Sequence, residues 1–163
     1  MVAYELLRGS VVDRPRHFFS SKIVITPEGK LEGTPDPRYV SEVLALYPKD
    51  AFQASCLWLH KMGALTADDL TEIQSIRDHR NELAHELPSF IAEADRALDL
   101  RRLERIRFLV GKIERWWIRE IEVPLDPEYD GREIADEDIS PGIVMFLEMV
   151  LATALHGGET TAR

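Results

Sequence analysis

The chain has one cysteine among its 163 residues, so it can form no internal disulfide. It needs none, because a chain of this length with 45% hydrophobic residues can bury one sizeable core without covalent staples. Cys56 lies in the apolar run Ala54-Ser55-Cys56-Leu57-Trp58-Leu59 and reads as a small buried hydrophobe rather than a nucleophile. Apolar runs fall short of the roughly 20 residues that a membrane span requires. No signal-peptide pattern precedes the first helix-like residues, so the expectation is a soluble, cytoplasmic protein without membrane contact, where a free thiol stays reduced. There is no internal repeat, no glycine-rich phosphate loop and no Cys or His spacing suited to a metal, so neither metal nor cofactor is expected. Positive charge is in the minority. A net charge of -9 argues against broad, nonspecific nucleic-acid binding, although a local basic stripe still binds phosphate in an acidic protein.

The patterning predicts an all-α protein: a bundle of about five helices over residues 37–156, an N-terminal arm over 1–36 and a disordered tail over 157–163. In the arm, Tyr4 to Leu7 suits the start of a helix, but Lys22-Ile23-Val24-Ile25 and Leu31-Glu32-Gly33 around Pro27-Glu28-Gly29 suggest a small hairpin, so the segment reads as non-helical overall. Its Arg14-Pro15-Arg16-His17-Phe18-Phe19 run suits either an extended segment packing two rings onto the body or a nucleic-acid contact. Tyr39, Val40, Val43, Leu44 and Leu46 give a short helix ending near Pro48. Asp50 is placed to cap a helix over Ala51 to Met62, whose broad apolar front marks it as central, and Gly63 ends it. Thr66, followed by Ala67-Asp68-Asp69, caps the next helix, which Pro88 closes. Ser89 caps a short helix from Phe90 to about Leu98.

The longest amphipathic run spans Leu100 to Glu122. At 100° per residue, Leu103, Ile106, Val110, Ile113, Trp117 and Ile121 fall within about 40° of one direction, and Arg101, Arg105, Lys112, Arg115 and Arg119 gather opposite. Phe108 lies among the basic residues, with Trp116 nearby. Two readings follow: a solvated face whose arginines pair with Glu104, Glu114 and Glu120, or a phosphate track with two rings able to stack bases. The acidic connection to Ile139, carrying Asp126, Glu128, Asp130, Glu133, Asp136, Glu137 and Asp138, has no fixed calcium-loop spacing and reads as a solvated loop able to cover the basic face. Ser140-Pro141 opens a last, very apolar helix from Ile143 to Leu155.

One stretch breaks the pattern. Leu70, Ile73 and Ile76 set a rhythm of three and four residues that Leu83 and Leu87 continue, and the position between them is Arg80. A guanidinium on a buried stripe calls for a partner, a phosphate or a wet groove. The run Arg80-Asn81-Glu82-Leu83-Ala84-His85, late in a capped helix after Gly63-Ala64-Leu65-Thr66-Ala67-Asp68-Asp69-Leu70, resembles the HEPN superfamily of all-helical, usually dimeric domains. The resemblance covers roughly residues 57 to 87. The mannitol-operon-repressor family is similar in its Gly-containing turn, acidic helix start and late Arg-to-His run.

The resemblance implies a metal-independent endoribonuclease of toxin or phage-defence type, in which Arg80, His85 and the polar Asn81 carry the chemistry. Independent chemical logic agrees: cleaving RNA without metal requires a base for the 2′-hydroxyl, an acid for the leaving 5′-oxygen and positive charge beside the phosphorane. A homodimer that pairs two copies of Arg80 and His85 around one groove supplies both proton roles. His85 lies about 140° around the helix from Arg80, whereas Asn81 and His85 are one turn apart, so Arg80 has to reach round. Arg77 shares the Asn81 and His85 stripe, as a phosphate contact or as half of a surface ion pair. With Arg101, Arg105, Lys112, Arg115 and Arg119 it makes up the expected RNA-binding set. The tyrosine that HEPN toxins often carry two places after the His, where an antitoxin transfers a nucleotide, is Leu87 here, which excludes that form of regulation. The alternative is a noncatalytic HEPN-like regulatory or scaffold protein, with Arg80 and His85 bridging a dimer interface and the acidic loop holding a protein partner.

Overall fold

The computed structural model describes residues 2–20, 23–25, 31–33, 36–85, 100–132 and 134–156. The architecture is all-α, and the one sheet among the described residues is a two-stranded hairpin. Compact packing divides the chain into two units, Ala3–Arg96 and Ala97–Arg163.

The first unit corrects the expectation of a non-helical arm. α1 (Val2–Arg8) runs through a π-helical turn (Gly9–Asp13) into α2 (Arg14–Phe18). Ala3, Tyr4, Leu7 and Val11 lie within about 100° of arc on one helical face, and all four are buried. The N–H of Arg14 donates five residues back, to the Gly9 carbonyl. That wider turn opens the α-helical ladder just ahead of Pro15, which has no N–H to contribute. The expected hairpin follows, β1 (Ile23–Ile25) pairing antiparallel with β2 (Leu31–Gly33) so that Val24 faces Glu32. Tyr39–Val43 and Leu44–Leu46 form the short helical segment expected before Pro48.

α3 (Ala51–Lys61) is central, as its broad apolar front predicts: Phe52, Ala54, Cys56, Trp58 and Leu59 are all buried. Phe19 meets the Trp58 ring edge-on at 5.7 Å and lies 6.2 Å from Tyr39, so the Phe18-Phe19 pair packs on the body rather than extending from it. The helix ends in a Schellman motif: Gly63 adopts φ +84°, Ala64 N–H donates to the Leu59 carbonyl at 2.9 Å, and Gly63 N–H donates to that of His60 at 3.0 Å. His60 Nδ1 donates to the Leu65 carbonyl at 2.7 Å and ties the turn to the helix it leaves.

α4 (Ala67–His85) begins with a reciprocal cap. The Asp69 carboxylate accepts from Thr66 N–H at 2.7 Å, while Thr66 Oγ1 accepts from Asp69 N–H at 3.2 Å. The expected Pro88 stop, the helix from Phe90 to Leu98 and the tail over 157–163 lie outside the described residues.

The second unit is built on α5 (Leu100–Trp117), which passes through a π-helical segment (Ile118–Glu122) into the short α6 (Val123–Leu125). Ile106, Val110, Ile113 and Trp117 are buried as expected, together with Leu109 and Trp116. After the acidic connection, α7 (Gly142–His156) packs on α5. The crossing passes over Gly111, where a Cβ would sit 3.5 Å from Val144, and Arg107 joins Glu148 across it at 2.9 Å. Among the described residues no helix is long and apolar enough to cross a membrane.

Candidate functional site

Arg77, Arg80 and Asn81 lie on the last turns of α4, and each arginine has a partner within its own unit. Arg77 Nη1 is 2.5 Å from Asp50 Oδ2, and its guanidinium lies 5.2 Å from the centre of the Phe52 ring. Asp50 also accepts from Phe52 N–H at 2.9 Å and Gln53 N–H at 3.3 Å, which caps α3. Partial burial pushes the Asp50 carboxyl upward, but the hydrogen bond from Arg77 and the two backbone donors outweigh it and hold its pKa below the ordinary value.

Arg80 answers the anomaly on the apolar stripe. Its guanidinium lies 5.5 Å from the centre of the Tyr4 ring, with Nη2 3.7 Å from Glu5 Oε1. Tyr4 stacks in turn on Phe52 at 6.3 Å, so two stacked rings carry the two arginines and link α1, α3 and α4. Desolvation raises the Tyr4 pKa, and the two guanidinium charges oppose the rise. Arg80 keeps about a third of its side chain open, at 35% exposure, and Nη1 donates to Asn81 Oδ1 at 3.3 Å. Its Nε is shielded from solvent with no hydrogen-bond partner among the described residues. Asn81 is exposed, and His85 is the last residue of α4, its side chain outside the described part of the structure. His79, off this stripe, is 3.8 Å from Glu82.

The expected RNA track belongs to the second unit. Arg101 and Arg105 are exposed, Lys112, Arg115 and Arg119 half-buried. The Arg105 guanidinium covers the Phe108 ring at 4.8 Å, and Phe108 is 44% exposed. Trp116 corrects the two-ring reading: it is 7% exposed and meets Trp117 edge-on at 5.1 Å, so of the two rings only Phe108 reaches the surface. Arg119 turns into the acidic connection, where it pairs with Glu120 at 2.7 Å and with Asp136. The hydrogen bond to Glu120 leads the causes that raise its pKa.

Cys56 is buried within α3, as the sequence suggests for a small hydrophobe, and burial pushes its thiol up to about 12. No cluster of His, Cys, Asp and Glu suited to a metal occurs among the described residues. The ring-backed arginine pair was not legible in sequence, because Tyr4 and Glu5 carry no local mark of the residues they meet on α4. Compared with protein-family models, curated proteins and solved structures, the chain matches none.

Proposed function

We propose that this protein is a metal-independent endoribonuclease of toxin or phage-defence type, acting as a homodimer on single-stranded RNA. The observation that carries the reading is the Arg80 to Asn81 contact. Arg80 lies about 140° from His85 on an ideal helix, yet its Nη1 reaches Asn81 Oδ1 at 3.3 Å, one turn before His85 on the His85 stripe. The Tyr4 ring and Glu5 hold the guanidinium in that attitude, a preorganised charge for a phosphorane.

In this reading His85 of one copy takes the 2′-hydroxyl proton as that oxygen attacks phosphorus. His85 of the second copy protonates the departing 5′-oxygen, which leaves a 2′,3′-cyclic phosphate. Arg80 stabilises the charge on the phosphorane, Asn81 orients the site, and this reading assigns the RNA contacts to Arg77, Arg101, Arg105, Lys112, Arg115 and Arg119, of which Arg77 and Arg119 would exchange their present carboxylate partners for phosphate. Cleavage of a mixed single-stranded RNA in EDTA, by wild type, His85→Ala and Arg80→Ala with melts recorded alongside, tests it. Cyclic-ended products lost in both variants while both stay folded at the assay temperature, with at most a small fall in the Arg80→Ala melt, are expected; intact RNA with the wild type sinks the proposal.

A second reading is favoured by the pairing of Arg77 with Asp50 and of Arg80 with Glu5: both charges already hold the fold together. The chain is then a noncatalytic regulatory or scaffold protein that binds a protein partner. Its signature is a sharply lowered melt in Arg80→Ala with no cleavage by the wild type.

A further inference from the structure

The connection after α5 folds around an open groove in the second unit. Two adjoining cavities of about 930 and 520 Å³ share Val123, Asp126, Tyr129, Arg132 and Ile134. Leu125 stands at the larger one and is 77% exposed, the most open of the large apolar side chains described. The groove therefore offers apolar surface that its own unit does not cover.

The segment that forms it is predominantly acidic. Between Arg119 and Asp138 the sequence carries nine carboxylates against two arginines, and Arg119 is already joined to Glu120 and Asp136. The segment accounts for most of the chain's net charge of -9. Asp126 and Asp130 line the larger cavity beside Arg119 and Arg132, and the smaller one adds Glu122 and Asp138, so the lining of the two together carries four carboxylates against two arginines. Such a rim repels phosphate and attracts cations, while the apolar lining rewards a side chain that an ammonium or a metal ion does not have.

We propose that this groove binds a short Lys- or Arg-rich segment of a partner protein, with one large apolar side chain seated against Leu125, Tyr129 and Ile134. The carboxylates steer the segment in and hold its charges, and the apolar anchor sets its register. The inference deepens the scaffold reading by naming the surface and the chemistry of the partner. It uses neither Arg80 nor His85, so its failure and that of the ribonuclease reading are read in separate assays.

The test uses the full chain and two fluorescein-labelled nonapeptides of Lys and Arg, one with a central Leu and one with Ser in its place. Anisotropy titrations at near-physiological salt are expected to show the Leu peptide binding about tenfold tighter, the effect of burying one such side chain. Leu125→Ser keeps every charge and, at so exposed a position, leaves the melt unchanged; it should erase most of that advantage. Ile134→Ser, at a half-buried position, is the second variant and should likewise erase most of the advantage, with its melt recorded alongside, and joint Asp126→Asn and Asp130→Asn should weaken both peptides alike. Equal binding of the two peptides, no binding, or a Leu advantage that survives both Ser variants overturns the proposal. Self-association of the wild type that Leu125→Ser abolishes, without peptide binding, overturns it in favour of a second copy of this chain.

Discussion

Arg77 of α4 and Asp50 at the start of α3 form an ion pair in which the same carboxylate accepts two backbone N–H groups of α3. One side chain thus caps one helix and anchors another. Asp50→Ala should lose both functions, about 1 to 3 kcal/mol from the cap and a part-buried pair together. Asp50→Asn keeps an accepting oxygen for the cap and should lose less. Denaturant melts of the two variants beside wild type separate cap from charge; equal losses would show that only the charge counts.

The same pair sets an acid limit. The Asp50 pKa is lower in the folded protein than in the unfolded chain. Its contribution is therefore fully present above the ordinary aspartate value of about 3.9 and is lost as pH falls through the lower folded value. Stability plotted against pH should fall off in that acid window less steeply in Asp50→Asn than in wild type. Parallel curves would remove Asp50 from the account.

Tyr4 beneath Arg80 makes a separable prediction. Tyr4→Leu keeps a large apolar side chain on α1 and removes the ring face, so its coupling to Arg80→Ala in a double-mutant cycle should be about 0.5 to 1 kcal/mol. Under the ribonuclease reading, Tyr4→Leu should also slow RNA cleavage beyond its effect on the melt, because Arg80 loses the surface that aims it. A coupling near zero would mean that the ring and the guanidinium are neighbours without attraction.

What could be read from the sequence was local. As helix ends, Asp50, Gly63 and the Thr66 to Asp69 box act within a few residues of themselves, and each stands where the pattern puts it, whereas the second role of Asp50, toward Arg77, has no local mark. The arm was misread because its helical face is interrupted by Gly9 and Pro15, and a π-helical turn accommodates both. Trp116 falls outside the narrow stripe that the projection singles out because the buried apolar side chains of α5 cover a sector of about 120°, from Trp116 at one edge to Val110 at the other. Arg80 was legible as an exception to the apolar stripe, but its partners lie far upstream on α1, and no local pattern links two helices across that distance.

Gly63 is held at φ +84° with nothing within 4 Å of where a Cβ would stand, so backbone conformation alone fixes the residue. Gly63→Ala should cost about 1 to 2 kcal/mol, and Gly63→Asn less, since Asn tolerates the left-handed region. Thermal melts in that order are expected; no loss in Gly63→Ala would mean that the turn relaxes to another conformation.

Gly111 behaves in the opposite way, because it is mid-helix and its constraint is the neighbouring helix. A Cβ there would approach Arg115 Nη1 at 3.2 Å and Val144 Cγ2 at 3.5 Å. The arginine contact is the far end of a flexible side chain and yields easily, and the valine contact is ordinary packing. Gly111→Ala should therefore gain up to about 1 kcal/mol from helix propensity, while Gly111→Leu, forced into the α5 to α7 crossing, should lose about 1 to 3 kcal/mol from overpacking. Melts of both variants read the crossing directly: stabilisation by Ala with destabilisation by Leu fits a close but not closed approach, whereas loss in both would place the limit at Val144 itself.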